Sequence, residues 1–178
     1  MVDTDLSSLV WHERRALDEV LFSLQTVRLH LEQSGERWLE RTVDALLAAV
    51  EALRVATLER TVMSATEVDR SLQDLAADAA APLDAILTDH RVTMRERVRE
   101  IEAERDRIVT LLAVRETAGS APPSAGAEAD GVPPDGLAGP DEADVDADIA
   151  AALAGRARLR ARMALTDLVP SELSDLLR

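Results

Sequence analysis

The chain has 178 residues with 20 basic and 34 acidic side chains, no Cys, no Tyr, one Phe and two Trp. Without Cys there is no disulfide scaffold, thiolate zinc site, Cys nucleophile or thiol redox switch. The net charge of −14 argues against a general nucleic-acid binder, because neutralising phosphate needs a basic surface. Every basic residue is Arg, and Lys and Asn are absent as well as Tyr, a pattern read here as coding bias from a GC-rich genome. The start, Met1-Val2-Asp3-Thr4-Asp5, is acidic and lacks the basic segment of a secretory signal. The longest apolar runs, such as Ala45 to Val50, are far too short to cross a membrane. A cytoplasmic protein without membrane insertion is therefore expected.

Residues 5–33 read as one amphipathic helix. Val10, Leu17, Leu24 and Leu31 recur every seven residues, Val20 and Val27 fall three after Leu17 and Leu24, and Leu6 and Leu21 widen the seam. Ser34-Gly35 breaks the pattern: Gly can close one helix and Ser can cap the next. A second helix is expected over 36–69, with Leu39, Val43, Leu46, Val50 and Leu53 alternating by four and three. The short break favours an antiparallel hairpin. Residues 71–80 suggest a short helix capped by Ser71. Pro82 suits the first turn of a third rod over 82–114. There Leu87, Met94, Ile101 and Ile108 repeat at seven, and Arg and Glu crowd the opposite face.

Residues 117–142 hold five of the seven Pro and five of the seven Gly, with eight acids and no base over 117–148. This predicts a disordered or weakly ordered linker. Residues 143–178 return to helical spacing: Val145, Ile149 and Leu153, then Arg156, Arg158, Arg160 and Arg162, then Met163 and Leu165, and a last turn after Pro170 with Leu173, Leu176 and Leu177. Such a segment either binds a partner or folds back onto the rods. Residues 1–116 carry a net −8 and residues 149–178 a net +2, so contact between them is electrostatically favourable, though screened by salt. The fold class expected is all-α: an elongated antiparallel hairpin or three-helix coiled-coil bundle (1–116), a flexible linker (117–142) and a C-terminal helical segment (143–178).

No catalytic constellation emerges. His12-Glu13 begins like a zinc-binding HExxH helix, but position 16 is Ala16, so the defining ligand is missing and a helix-surface pair is expected. His30 lies near a helix end, as in histidine phosphotransfer domains, but no Lys is available to steady a phosphoryl group; a solvated flank is expected. His90 falls at the flank of the third seam, and Asp89-His90 has no partner nucleophile, so a structural hydrogen bond is expected. Glu100, Glu102 and Glu104 alternate with Arg and fit helix-surface pairs. Trp11 and Trp38 are expected to pack in the core where the hairpin rods meet. No metal and no cofactor is implied.

Several blocks look familiar. Leu9-Val10-Trp11-His12-Glu13-Arg14, followed by Leu17, Leu21-Phe22 and Leu24, resembles the opening helix of the FlgN family of flagellar export chaperones in its actinobacterial form. Gly35-Glu36-Arg37-Trp38-Leu39, Glu51-Ala52-Leu53-Arg54, Leu58-Glu59-Arg60 and Pro82-Leu83 to Ile86-Leu87 and Asp89-His90-Arg91 are similar to that group too. The order and spacing of these blocks over residues 6–112 carry the resemblance. The chain departs from the family where Asp106 replaces an Asn late in the third rod, and in its long acidic linker.

The resemblance implies a cytoplasmic, non-enzymatic helical protein. It would hold hook-filament junction proteins by their amphipathic C-terminal helix and deliver them to the flagellar export gate. Matched by region, client binding falls on Val145, Ile149, Leu153, Leu165, Leu168, Leu173, Leu176 and Leu177. Two alternatives stand beside it: a structural coiled-coil adaptor that dimerises through its rods, and a phosphotransfer protein centred on His30.

Overall fold

A computed structural model describes residues 2–33, 36–65, 72–119 and 142–168. Among them the chain forms five helices and no strand: α1 (Val2–Glu32), α2 (Glu36–Ala65), α3 (Leu72–Asp78), α4 (Leu83–Gly119) and α5 (Glu142–Asp167). The protein is all-α. The expected caps Ser34 and Ser71, the Gly35 break, most of the Pro/Gly linker and the last turn with Leu173, Leu176 and Leu177 lie outside the described residues. Helix α4 takes in Thr117, Ala118 and Gly119, which the composition alone had assigned to the linker.

Heptad spacing builds the core directly. In α1 the buried apolar residues include Val10, Leu17, Val20, Leu21, Leu24, Val27 and Leu31; in α2 they include Leu39, Val43, Leu46, Val50 and Leu53. Spacing of three and four keeps them on one side of each helix. Each such side chain removed from water stabilises by about 1.5–3 kcal/mol before ordering costs. His12 lies against Glu59, and Glu13 against Arg60, so the start of α1 meets the end of α2 and the hairpin is antiparallel.

Helix α4 begins at a turn in which Leu83 N–H donates to the Ala80 carbonyl and Ile86 N–H donates to the Pro82 carbonyl. Pro82 therefore precedes the first helical residue and needs no donor of its own. Helix α4 runs parallel to α1. Trp11 meets His90, Asp18 meets Arg97 at 2.6 Å, and Arg28 meets Glu104 in register along the pair. Its buried residues Leu87, Met94, Val98, Ile101, Ile108 and Leu112 complete the core, and α3 packs against it.

Helix α5 folds back onto the rods, and among the described residues it touches α2 and α4 and not α1. Its direction is opposite to α4: Leu165 lies by Arg105, whereas Arg162 reaches Glu116. Buried along it and just past its end are Ala154, Ala157, Ala161, Ala164, Leu165 and Leu168. Four of these six are alanine, so the backbone can sit close to its neighbours.

Candidate protein-binding surface

Helix α5 carries two apolar faces. The alanine face, with Leu165 and Leu168, lies in the core. The other carries Ile149, Leu153, Leu159 and Met163, all exposed, the last two at 62% each. At about 100° per residue, these four fall within an arc of about 120°. Leu165 stands about 160° from Ile149 on the same count. The eight residues expected to bind a client therefore divide. Ile149 and Leu153 face outward. Leu165 and Leu168 are only 2% and 3% exposed and hold α5 to the bundle. Val145 is on α5, but its side chain lies outside the described residues, as do Leu173, Leu176 and Leu177. Leu159 and Met163, absent from the expected set, join Ile149 and Leu153. The helical period alone would have grouped these four and set Leu165 apart.

The arginines of α5 divide as well. Arg160 pairs with Asp44 at 2.5 Å and Glu40 at 3.7 Å on α2. Arg162 pairs with Glu116 at 2.6 Å on α4. Arg105 of α4 donates to the Leu165 carbonyl at 3.2 Å. Arg156, exposed and at the middle of the outward stripe, pairs with no carboxylate among the described residues. Where α4 and α5 part, Arg105, Val109, Ala113, Arg162, Leu165 and Thr166 line a shallow groove.

The polar residues of the seam depart from expectation. Glu13 is not half of a surface pair: it is fully buried, with Arg60 Nε donating to its Oε2 at 2.6 Å. Burial pushes its carboxyl above the usual range, against the pull of the Arg60 guanidinium and the Thr57 hydroxyl. The sequence signal was present, since Glu13 falls three residues after Val10, at the seam position that Val20 and Val27 occupy further on. Arg60 likewise continues the α2 alternation beyond Leu53. Glu104 is buried too, three after Ile101, held by Arg28 of α1 and by Arg107 at 2.9 Å.

His90, three after Leu87, is 1% exposed rather than at a flank. It makes no hydrogen bond through either ring nitrogen, so the expected Asp89-His90 pair does not form; Asp89 instead stands 3.8 Å from Arg14. Burial, then the Arg14 charge, holds the His90 ring below its ordinary pKa, against Asp89.

The two tryptophans are not core residues: Trp11 is 54% exposed and Trp38 44%. Trp11 lies edge-on to His90 at 4.4 Å between ring centroids, with the Arg14 guanidinium 5.1 Å from its own. Trp38 carries Arg37 at 4.8 Å. Each ring lies half-exposed beside a guanidinium, that of Arg14 partly buried and that of Arg37 exposed. Among the described residues no three His, Cys, Asp or Glu gather as a metal site. No helix there is long and apolar enough to cross a membrane.

Comparison with family models, with curated proteins and with solved structures returns no match.

Proposed function

We propose that this chain is a cytoplasmic, non-enzymatic export chaperone of the FlgN kind, holding hook-filament junction proteins by their amphipathic C-terminal helix and handing them to the flagellar export gate. The observation that carries the reading is the outward stripe of α5, where Ile149, Leu153, Leu159 and Met163 stand in water on a helix whose opposite face is already packed. Apolar side chains at helical spacing are the usual receiving surface for a partner helix. Met163 adds an unbranched, polarizable side chain that adapts to different partners. Four anchors at about 1.5–3 kcal/mol each, less the cost of immobilising the client, allow an affinity that still permits release. The family resemblance over residues 6–112 supplies the identity of the clients.

The test is a pull-down of purified junction proteins by the full chain, with each client also presented without its C-terminal helix. The reading expects capture of the intact clients and loss of capture without that helix. Failure to capture any intact junction protein would sink it.

A second reading, the self-associating adaptor, has its own support. Trp11, Phe22 and Leu29 are exposed and share one line along α1. If that line joins two copies, Phe22→Glu halves the mass in solution and leaves client capture untouched.

A further inference from the structure

The outward face of α5 is not uniformly apolar. Its stripe runs from Ile149 to Met163, and Arg156 stands at its centre, seven residues from either end. Over residues 149–166 the chain has four Arg and no acid, whereas 142–148 holds Glu142, Asp144, Asp146 and Asp148. Arg160 and Arg162 are taken up by the bundle's own carboxylates, and Arg158 also has an interaction within the molecule. Arg156 has none among the described residues and is exposed amid apolar neighbours.

We infer that Arg156 is a specificity-determining contact: the outward face of α5 takes an amphipathic helix that carries a carboxylate near the middle of its apolar stripe. The inference rests on the reading of α5 as a client-binding helix and adds the chemistry of the client. An apolar partner stripe covering Ile149, Leu153, Leu159 and Met163 strips water from Arg156. A cation desolvated without a counter-charge is costly, whereas one met by a carboxylate is not.

The same geometry disfavours a second copy as the occupant. Because Arg156 is the midpoint of the stripe, an antiparallel two-fold pairing of two α5 faces sets Arg156 against Arg156, and a parallel pairing does the same. Like charges brought together at the centre of an interface oppose association.

The probes are three synthetic amphipathic peptides of one sequence, with Glu, Gln or Lys at the centre of the apolar stripe. They are titrated into the full chain and into full-chain Arg156→Glu. The wild type binds the Glu peptide about two- to fivefold tighter than the Gln peptide, the size of a partly exposed ion pair, and binds the Lys peptide weakest. Arg156→Glu reverses that order. Leu159→Asp weakens all three. Equal binding of all three by the wild type overturns the role of Arg156 while leaving α5 as the docking face. No binding of any peptide by chain that circular dichroism shows to be folded overturns both the role and the face. Sedimentation of a dimer that Leu159→Asp dissociates would show a second copy on this face and overturn the proposal. So would loss of anionic-vesicle binding in Arg156→Glu.

Discussion

Glu13 and Arg60 meet across the α1–α2 hairpin, 2.6 Å apart, at positions where the heptads of both helices would otherwise place apolar residues. Both side chains are almost fully withdrawn from water. Removing the Arg60 guanidinium leaves the Glu13 carboxyl buried without its counter-charge, while replacing both with apolar residues is close to neutral or favourable. Arg60→Leu is therefore expected to cost about 3–5 kcal/mol, and Glu13→Leu with Arg60→Leu to recover most of it. Urea unfolding measures both. Equal losses in the single and double variants would show that the pair is not what matters there.

His90 gives the fold a pH dependence whose sign is fixed. Its folded-state pKa lies below the ordinary 6.5, so as pH falls through 6.5 the unfolded chain gains a proton that the folded chain refuses. Stability is full above that pH and declines below it. Glu13 acts in the opposite sense: its carboxyl is raised above 4.5, so its cost at neutral pH is released as pH falls through its folded-state pKa toward 4.5. His90→Leu is expected to flatten the decline in melting temperature between about pH 7 and 5. An unchanged profile would contradict the burial of a neutral ring.

The seat of α5 depends on its alanine face more than on its arginines. Ala161 is fully buried, and Ala161→Leu would force extra volume into a closed contact, costing about 1–3 kcal/mol. Arg160→Glu faces Asp44 and Glu40 at a half-exposed site and is expected to cost no more than about 1 kcal/mol, less in high salt. Thermal melts at two salt concentrations compare them. A larger loss from Arg160→Glu would reverse that ranking.

Gly155 lies inside α5, and a Cβ built there meets nothing within 4 Å. Gly155→Ala is expected to stabilise by about 0.5–1 kcal/mol through reduced freedom of the unfolded chain and better helix propensity. A lower melting temperature would mean that the position is more crowded than the fold indicates.

Much of this architecture was written in the periodicity of the apolar residues. Val10 to Leu31, Leu39 to Leu53 and Leu87 to Ile108 become the core because spacing of three and four admits one buried face. What the apolar pattern missed was polar residues holding seam positions: Glu13, His90 and Glu104 read as surface or flank when judged by residue type, and as core when judged by register. Trp11 and Trp38 misled in the opposite direction, since a large ring beside an Arg can cover surface instead of filling an interior. Helix α5 carries the weakest signal in its residue types. Its inner face is alanine in an alanine-rich stretch, which marks no side as buried, so residue type alone groups Leu165 with Ile149 and Leu153 although the helix sets it about 160° from Ile149.

Client binding by the outward stripe of α5, as proposed above, is open to a direct test. Leu159→Asp with Met163→Asp changes only exposed side chains, so the fold is expected to survive, with a melting temperature near that of the wild type. Isothermal titration of a purified hook-filament junction protein into the wild type and this double variant tests the claim most directly. The wild type is expected to bind and the variant to lose about tenfold or more in affinity, roughly the worth of one buried leucine-sized anchor. Equal affinity for the two chains would contradict it and move the client site away from α5.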